Sequence, residues 1–442
     1  MVRMGLFHYC RLFPFSSTSA RFFVGLGILV AFSFWGLQIG QSAEPGESGD
    51  LSDYIEYGIA HNPQLQANYR VWQAALQRIP QATSLPDPKV TATHLVEDIQ
   101  TRTGPQRQQV FVGQQLPWFG KLRLRGRVAS REAEAIHHAY DAAVLETARK
   151  IGLAYYDYGY LGEATKIMKR VVSLLDRLEQ VVREKVRGGK SLPSLLKMEI
   201  ETAKARDLLQ EIEKKRVSQS QYIVALLGSS KTMILPFPGL VKPGEYKPDR
   251  AALLQALADG NPELKSLKSR VDQADEAVKL SRLNGMPDPT IGAGFFDTGP
   301  AVNPGTPGSG NDPWSVQLSF NIPLWKKRNQ AERREAWEMK QAARQILTDR
   351  QNRLQSDLDT ALQDLSTIDR RLDLYGGVLL PKARQAMEVT ETSYQSDQSS
   401  ILDLIDAERT FLEIERNYWK AVSEHYKAQI RLQTITGKRP RS

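Results

Sequence analysis

Two stretches decide the fold: SLPDPKVTAT, residues 84–93, and GMPDPTIGAG, residues 285–294. Pro-Asp-Pro alone signals only a turn, because both residue types favour turns. The surroundings, however, match as well. Upstream lie HNPQLQA from His61 and GNPELKS from Gly260; downstream lie QLPWFGK from Gln115 and NIPLWKK from Asn321. VALLGSS from Val224 and LQTITGK from Leu432 close the two series, each with a Gly. The offsets are 199 for Pro63 to Pro262, 201 for Pro86 to Pro287, 206 for Pro117 to Pro323 and 209 for Gly228 to Gly437. Order is kept and the offset only grows, as expected of a duplicated half-protein that gained insertions. A period of about 200 residues is far too long for a solenoid.

Each unit opens on an amphipathic helix. Leu51, Tyr54, Ile55, Gly58 and Ile59 recur at helical spacing. Asn62–Pro63 then restarts the helix, Asn as cap and Pro at the first position, and Asn261–Pro262 repeats the device after Ala251–Leu257. Pro-Asp-Pro is expected to stop the helix, since Pro lacks the backbone donor.

Two strands follow in each unit. In WSVQLSFNI, Trp314, Val316, Leu318, Phe320 and Ile322 alternate with Ser315, Gln317, Ser319 and Asn321. One face is large and apolar, the other small and polar. That suits a strand crossing a membrane in about 9–11 residues, with Trp314, Val316, Leu318 and Phe320 towards lipid. A soluble sandwich strand fits the alternation equally well. TIGAGFF is its partner, with Ile291, Ala293 and Phe295 on one face; Lys89–Val96 and Gln109–Leu116 are the weaker copies. The Gly/Pro loop Asp297–Pro313 joins the second pair.

Long helical stretches then run over Lys121–Arg187 and Lys326–Gln395, each roughly 100 Å if continuous. Gly152, Gly159 and Gly162 are expected to interrupt the first, and Gly376, Gly377 and Pro381 the second. Short polar turns, RGGKSLP and QSDQSS, reverse the chain into final helices of about 35 residues, which must pack side by side as coiled coil. Four strands cannot close a membrane barrel, which needs at least about eight, and open edges in lipid leave backbone groups unpaired. If the strands span a membrane, chains must therefore share a barrel, and three copies supplying twelve strands leave room for a channel.

Residues 1–43 read as a signal peptide: Arg3, Arg11 and Arg21, the apolar run Phe22–Gly40, then Ser42 and Ala43. An uncleaved anchor is the alternative, because the run nearly reaches the length of a membrane helix. The one Cys, Cys10, precedes the run, so the mature chain has neither a disulfide nor a thiolate site. The net charge of +9 falls to +6 once the three arginines leave, and the charges are interspersed. Nucleic acid is not an expected partner, since its footprint needs basic clusters on one face.

Catalytic, metal and cofactor sites are not expected. GGKS at Gly188 lacks the earlier Gly of a phosphate loop, Glu184 standing there. Adjacent His137 and His138 point about 100° apart on a helix and are not expected to share a metal. Nucleophile-elbow and HExxH patterns are absent from the sequence.

Over essentially its whole mature length the chain resembles the TolC family of outer-membrane efflux proteins, most closely in flavour the heavy-metal members associated with resistance–nodulation–division pumps. The resemblance rests on the duplicated helix–strand–strand–helix–helix unit, the Asn-Pro starts, LPDP and MPDP, and QQLPWFGKLRLRG. The strongest local match is SYQSDQSSILDLIDAERTFLEIE from Ser393. It implies a mainly α fold with a small membrane β-barrel, built as a homotrimer with a twelve-stranded barrel in outer-membrane lipid and an α-helical tunnel in the periplasm. The repeats are bounded at 44–235 and 245–438.

The resemblance further implies a periplasmic adaptor and an inner-membrane pump as partners, and a passive exit duct for cargo, metal cations being favoured. Asp403, Asp406 and Tyr394 align with the family's periplasmic entrance. Gly188, Gly189, Ser191, Ser399 and Ser400 fall at the hairpin tips that meet the adaptor. Lys197 stands where the second unit has Asp406. Asp397 departs from the family's usual Gly, and Ser399 replaces a basic lock residue. A periplasmic adaptor, a structural coiled coil of the same kind of envelope complex, and a drug or type I secretion channel are the alternatives. The tandem hairpins weigh against an adaptor, and the Trp314–Ile322 strand against a plain coiled coil.

Overall fold

The computed structural model describes residues 49–187, 192–230, 235–396 and 398–440. The proposed signal segment 1–43, the first tip residues Gly188, Gly189 and Ser191, and Asp397 lie outside them.

The two repeats share one plan. The first runs α1 (Leu51–His61), α2 (Pro63–Thr83), β1 (Lys89–Thr101), β2 (Gly104–Gln115), α3 (Lys121–Arg187) and α4 (Leu192–Leu226). The second runs α5 (Arg250–Gly260), α6 (Pro262–Asn284), β3 (Pro289–Thr298), β4 (Trp314–Phe320), α7 (Lys326–Leu372), a π-helical turn over Asp373–Leu379, α8 (Leu380–Gln395) and α9 (Ile401–Ile435). Both helices before the Pro-Asp-Pro corners end early, at Thr83 and Asn284. The residue ahead of a Pro avoids helical geometry. Ser84 is already extended, while in the second repeat Gly285 closes the helix in a turn with Met286 N donating to Leu283 O (2.9 Å).

Each Asn-Pro clamps two helix ends at once. Asn62 Oδ1 accepts from Gln64 N (2.9 Å) and Leu65 N (3.2 Å), while its Nδ2 donates to Leu226 O at the end of α4 (2.9 Å). Asn261 repeats this with Leu264 N (3.1 Å) and Ile435 O at the end of α9 (2.9 Å). The closing glycines complete the joint. Gly228 and Gly437 adopt φ of 79° and 82°. Ser229 N and Lys438 N then reach back to Val224 O (3.1 Å) and Gln433 O (2.8 Å), which satisfies the terminal carbonyls of each helix.

The four strands form one antiparallel sheet in the order β1-β2-β3-β4, so β1 and β4 are edges. Register carries the alternation across it: Val90 faces Val112, Val110 faces Phe295, Ala293 faces Val316, and Phe295 faces Trp314. These residues make one apolar face, exposed in the single chain, with Val316 86% and Trp314 75% accessible. On the other face Phe111 lies over Gly292 and Gly294, where an added Cβ would come within 2.3 and 3.3 Å of its ring.

The helices bury a string of clusters along their length. One gathers Leu51, Ile55, Ile151, Tyr158, Leu227 and Ile430; the next, Ile167, Met198, Ile401, Leu404 and Phe411. Gly152, Gly159 and Gly162 do not interrupt α3, which is continuous through them. They are instead contact points. A Cβ at Gly159 would meet Leu240 at 2.8 Å and one at Gly162 would meet Phe237 at 2.8 Å, where the segment joining the repeats crosses α3. Tyr158 Oη donates to Leu235 O on that segment. In the second long stretch the expected break is present: Gly376 and Gly377 sit in the π turn, against the Tyr418 ring at Gly376, and Pro381 opens α8. The extra residue per turn lets the helix slip past a ring without unwinding. Among the described residues no helix is long and apolar enough to cross a membrane.

Candidate channel entrance and strand–helix junction

The second tip is described at Tyr394–Ser396 and from Gln398 onward. Gln398 N and Ser399 N both donate to Ser393 O, at 2.8 and 3.3 Å, which turns the chain out of α8. Ser399 Oγ donates to Thr390 O at 3.3 Å. Ser400 then caps α9. Its Oγ accepts from Asp403 N (3.2 Å), while Asp403 Oδ2 accepts from Ser400 N (2.9 Å) and Ser400 Oγ (2.7 Å), closing a reciprocal capping box. The hydrogen bonds from Ser400 hold the Asp403 carboxyl below its ordinary pKa.

Asp406 is exposed one turn on, and Leu404 and Ile405 between the two acids are buried. Both carboxylates therefore lie off the packed face, Asp403 also serving the cap. Tyr394 packs against the same cluster as Ile401 and Leu404. The counterpart Lys197 is exposed on α4.

Deeper in the same hairpin lies an acid that the sequence pattern did not single out. Glu408 is 8% exposed in a cleft lined by Met168, Leu175, Ala205, Ile405 and Leu412. Burial raises its pKa, Glu391 and Glu415 add to the rise, and Arg170 opposes it. Arg170 itself is held by both Glu415 oxygens at 2.7 Å. A raised folded value means the native state keeps a proton that the unfolded chain has released. Glu408 therefore costs nothing in acid, and its cost grows as pH rises through the raised value. Glu408→Gln should stabilise the protein at neutral and alkaline pH, with the gain vanishing below the ordinary glutamate range. Thermal melts of both proteins across that span check it; a gain that is the same in acid contradicts it.

His137 and His138 correct the expectation drawn from their adjacency. Asp141, one turn on, lies 3.6 Å from His137 Nδ1 and 3.5 Å from His138 Nδ1. One ligand atom from each of the three residues falls within 4.8 Å of the others. Side-chain torsion brings both rings to one carboxylate, which backbone direction alone did not foretell. His425 is buried between Asp369 Oδ1 (2.7 Å) and Gln429 Nε2 (2.8 Å), a polar tie between α9 and α7.

At the other end, sheet and helices meet through the Pro-Asp-Pro corner. Asp288 Oδ1 accepts from Trp118 N (2.7 Å) and from Lys121 Nζ (2.7 Å), and Lys121 Nζ also donates to Met286 O (2.9 Å). The Lys121 side chain is 3% exposed and that of Asp288 13%. The Asn321 side chain accepts from Asp288 N. The corner thus fixes the angle between the strands and α3. Trp314, Val316, Leu318 and Phe320 stand beyond it on one side of β4, exposed in the single chain as Gln317 and Ser319 on the other side also are.

Three comparisons agree with this arrangement. Residues 253–438, most of the second repeat, match the family described as Outer membrane efflux protein. The cobalt-zinc-cadmium resistance protein CzcC of Cupriavidus metallidurans is 23% identical over 433 residues, covering 95% of this chain and all of that protein. Among solved structures, the outer membrane protein VceC of Vibrio cholerae superposes with a TM-score of 0.73 at 18% identity, covering 88% of this chain and 96% of that one. CusC, described in connection with transmembrane channel formation, superposes at 0.74 with 15% identity, covering 89% and 93%. The family match lies in one repeat, while the helix–strand–strand–helix–helix plan and the fold likeness extend over both. By these features the second repeat matches the outer membrane efflux protein family, and the chain as a whole has the fold of VceC and CusC.

Proposed function

We propose that three copies of this chain share a twelve-stranded barrel and act together as the passive exit duct of a tripartite efflux system, delivering heavy-metal cations outward. The carrying observation is the open four-stranded sheet. It has an exposed apolar face and two free edges, and it continues through a fixed corner into two long helical hairpins. β1, β2 and β3 run 13, 12 and 10 residues, while β4 stops at Phe320 after seven, short of the expected Ile322. Free edges in lipid must pair, and further copies supply the pairs. The repeats 44–235 and 245–438, preceded by a cleaved segment 1–43, are the units of this reading. A periplasmic adaptor meets the tips at Gly188, Gly189, Ser191, Ser399 and Ser400, and an inner-membrane pump drives transport. The duct does no chemistry on its cargo.

The cargo assignment rests on CzcC, whose name records cobalt, zinc and cadmium resistance. Deleting the gene should lower tolerance to cobalt, zinc, cadmium or copper and leave drug tolerance unchanged. Unchanged metal tolerance with new drug sensitivity would reverse the assignment.

Asp403 and Asp406, with Tyr394 behind them, line the periplasmic entrance in this reading, as six carboxylates around the axis of a trimer. Because Asp403 also caps α9, Asp403→Asn is the cleaner variant, keeping an acceptor for Ser400 N. Combined with Asp406→Ala, it should abolish block by divalent cations and weaken cation selectivity in planar bilayers while the trimer persists. Block and selectivity equal to the parent's would remove these residues from the entrance.

A further inference from the structure

Internal duplication lets one chain serve as the template for its contact with a copy. Within the chain, the turn after β2 docks on the corner before β3: Trp118 N and Lys121 Nζ on Asp288, Lys121 Nζ on Met286 O, and Leu116 N on Pro289 O (2.8 Å). The other half of this device is open. The offset of 201 at the prolines makes Asp87 the counterpart of Asp288, and the offset of 206 makes Lys327 that of Lys121. Both offsets persist past the strands. The close approach of Thr83 to Gly126 in the first repeat becomes the Asn284–Glu332 hydrogen bond in the second.

Asp87 and Lys327 are both exposed and form no ion pair among the described residues. They flank opposite edges of the sheet, β1 and β4, about 14 Å apart across three strand spacings. They cannot meet within one chain.

We propose that Lys327 of one protomer enters the Pro86–Asp87–Pro88 corner of the next and pairs with Asp87, repeating Lys121–Asp288 at every boundary between copies. This rests on the shared barrel proposed above. The same offsets set the strand pairing across the boundary. Gln114↔Ile291 and Val112↔Ala293 within the chain become Phe320 opposite Val90 and Leu318 opposite Ala92 between copies, which continues the apolar face at these positions. In the single chain the turn after β4 is unlocked: Leu324 N, the counterpart of Trp118 N, donates to Ile322 O instead (2.9 Å). Burial in the docked turn would give the pair the surroundings that Lys121 and Asp288 already have.

The test uses the full-length protein in outer membranes. A carbodiimide, which joins a carboxylate to an amine only in contact, should couple chains through Asp87 and Lys327, located by mass spectrometry of the digest. Asp87→Asn and Lys327→Met should each cut the trimer fraction on partly heated gels by about tenfold or more, since each leaves one charge buried alone. The swap Asp87→Lys with Lys327→Asp should recover the trimer, and Lys326→Met should leave it unchanged. A trimeric parent with no Asp87–Lys327 junction overturns the pairing, as does a swap as weak as its single variants. A parent that is not trimeric fails the shared barrel first, and the pairing falls with it.

Discussion

Lys121→Met should destabilise the folded chain by about 3–5 kcal/mol, because it leaves the Asp288 carboxylate enclosed with its cation gone. Lys121 Nζ reaches both Asp288 Oδ1 and Met286 O, and nothing else described at this corner carries a positive charge to Asp288. Removing both charges, with Lys121→Met and Asp288→Leu, should recover part of the loss, since an apolar pair of similar volume has no unpaired charge to bury. Recovery should be incomplete because Trp118 N also loses its acceptor, Asp288 Oδ1 at 2.7 Å. Denaturant titration of the three proteins in detergent measures this. A Lys121→Met loss under about 1 kcal/mol would place the pair among ordinary surface bridges.

Gly437→Val should cost a comparable amount, on the order of 3–5 kcal/mol, for a different reason. At φ of 82° a branched side chain is strained, and its Cβ would stand 2.4 Å from Gly260 O. That atom is backbone at the α5 end, so no rotamer change relieves the contact. Moving it also loosens the Asn261 clamp on Ile435 O. Gly228→Val meets His61 O at 2.5 Å in the first repeat and should behave alike. Gly239→Ala is the control: nothing lies within 4 Å of its Cβ position, and its effect should stay within about 0.5 kcal/mol. Equal melting temperatures for Gly437→Val and Gly239→Ala would refute the close approach.

Much of this fold was legible because the duplication supplies two readings of every element. Asn62 and Asn261, or Gly228 and Gly437, are weak signals singly and strong ones as pairs at steady offsets. The alternation in Trp314–Phe320 maps onto the two sides of β4, but nearly all of that strand is exposed in the single chain, so burial does not single out one face. The α3 glycines were misread for a physical reason. Gly lowers helix propensity wherever it stands, and only the path of the segment over 235–240 reveals that Gly159 and Gly162 make room for Leu240 and Phe237. The link from Asp288 to Lys121 spans 167 residues and joins two repeats, so no local pattern announces it. At the tip, the capping box that Asp403 forms with Ser400 was not foreseen. Glu408 gave no signal, because an isolated Glu among helical residues reads as solvated until packing encloses it.

The central claim, that one chain is a third of a closed barrel, is tested most directly by the mass of the intact particle. Native mass spectrometry of the full-length protein, released from outer membranes in mild detergent, should give three chains and no appreciable dimer. A monomer that keeps its full strand content would contradict the account, since a sheet with two free edges would then be stable alone.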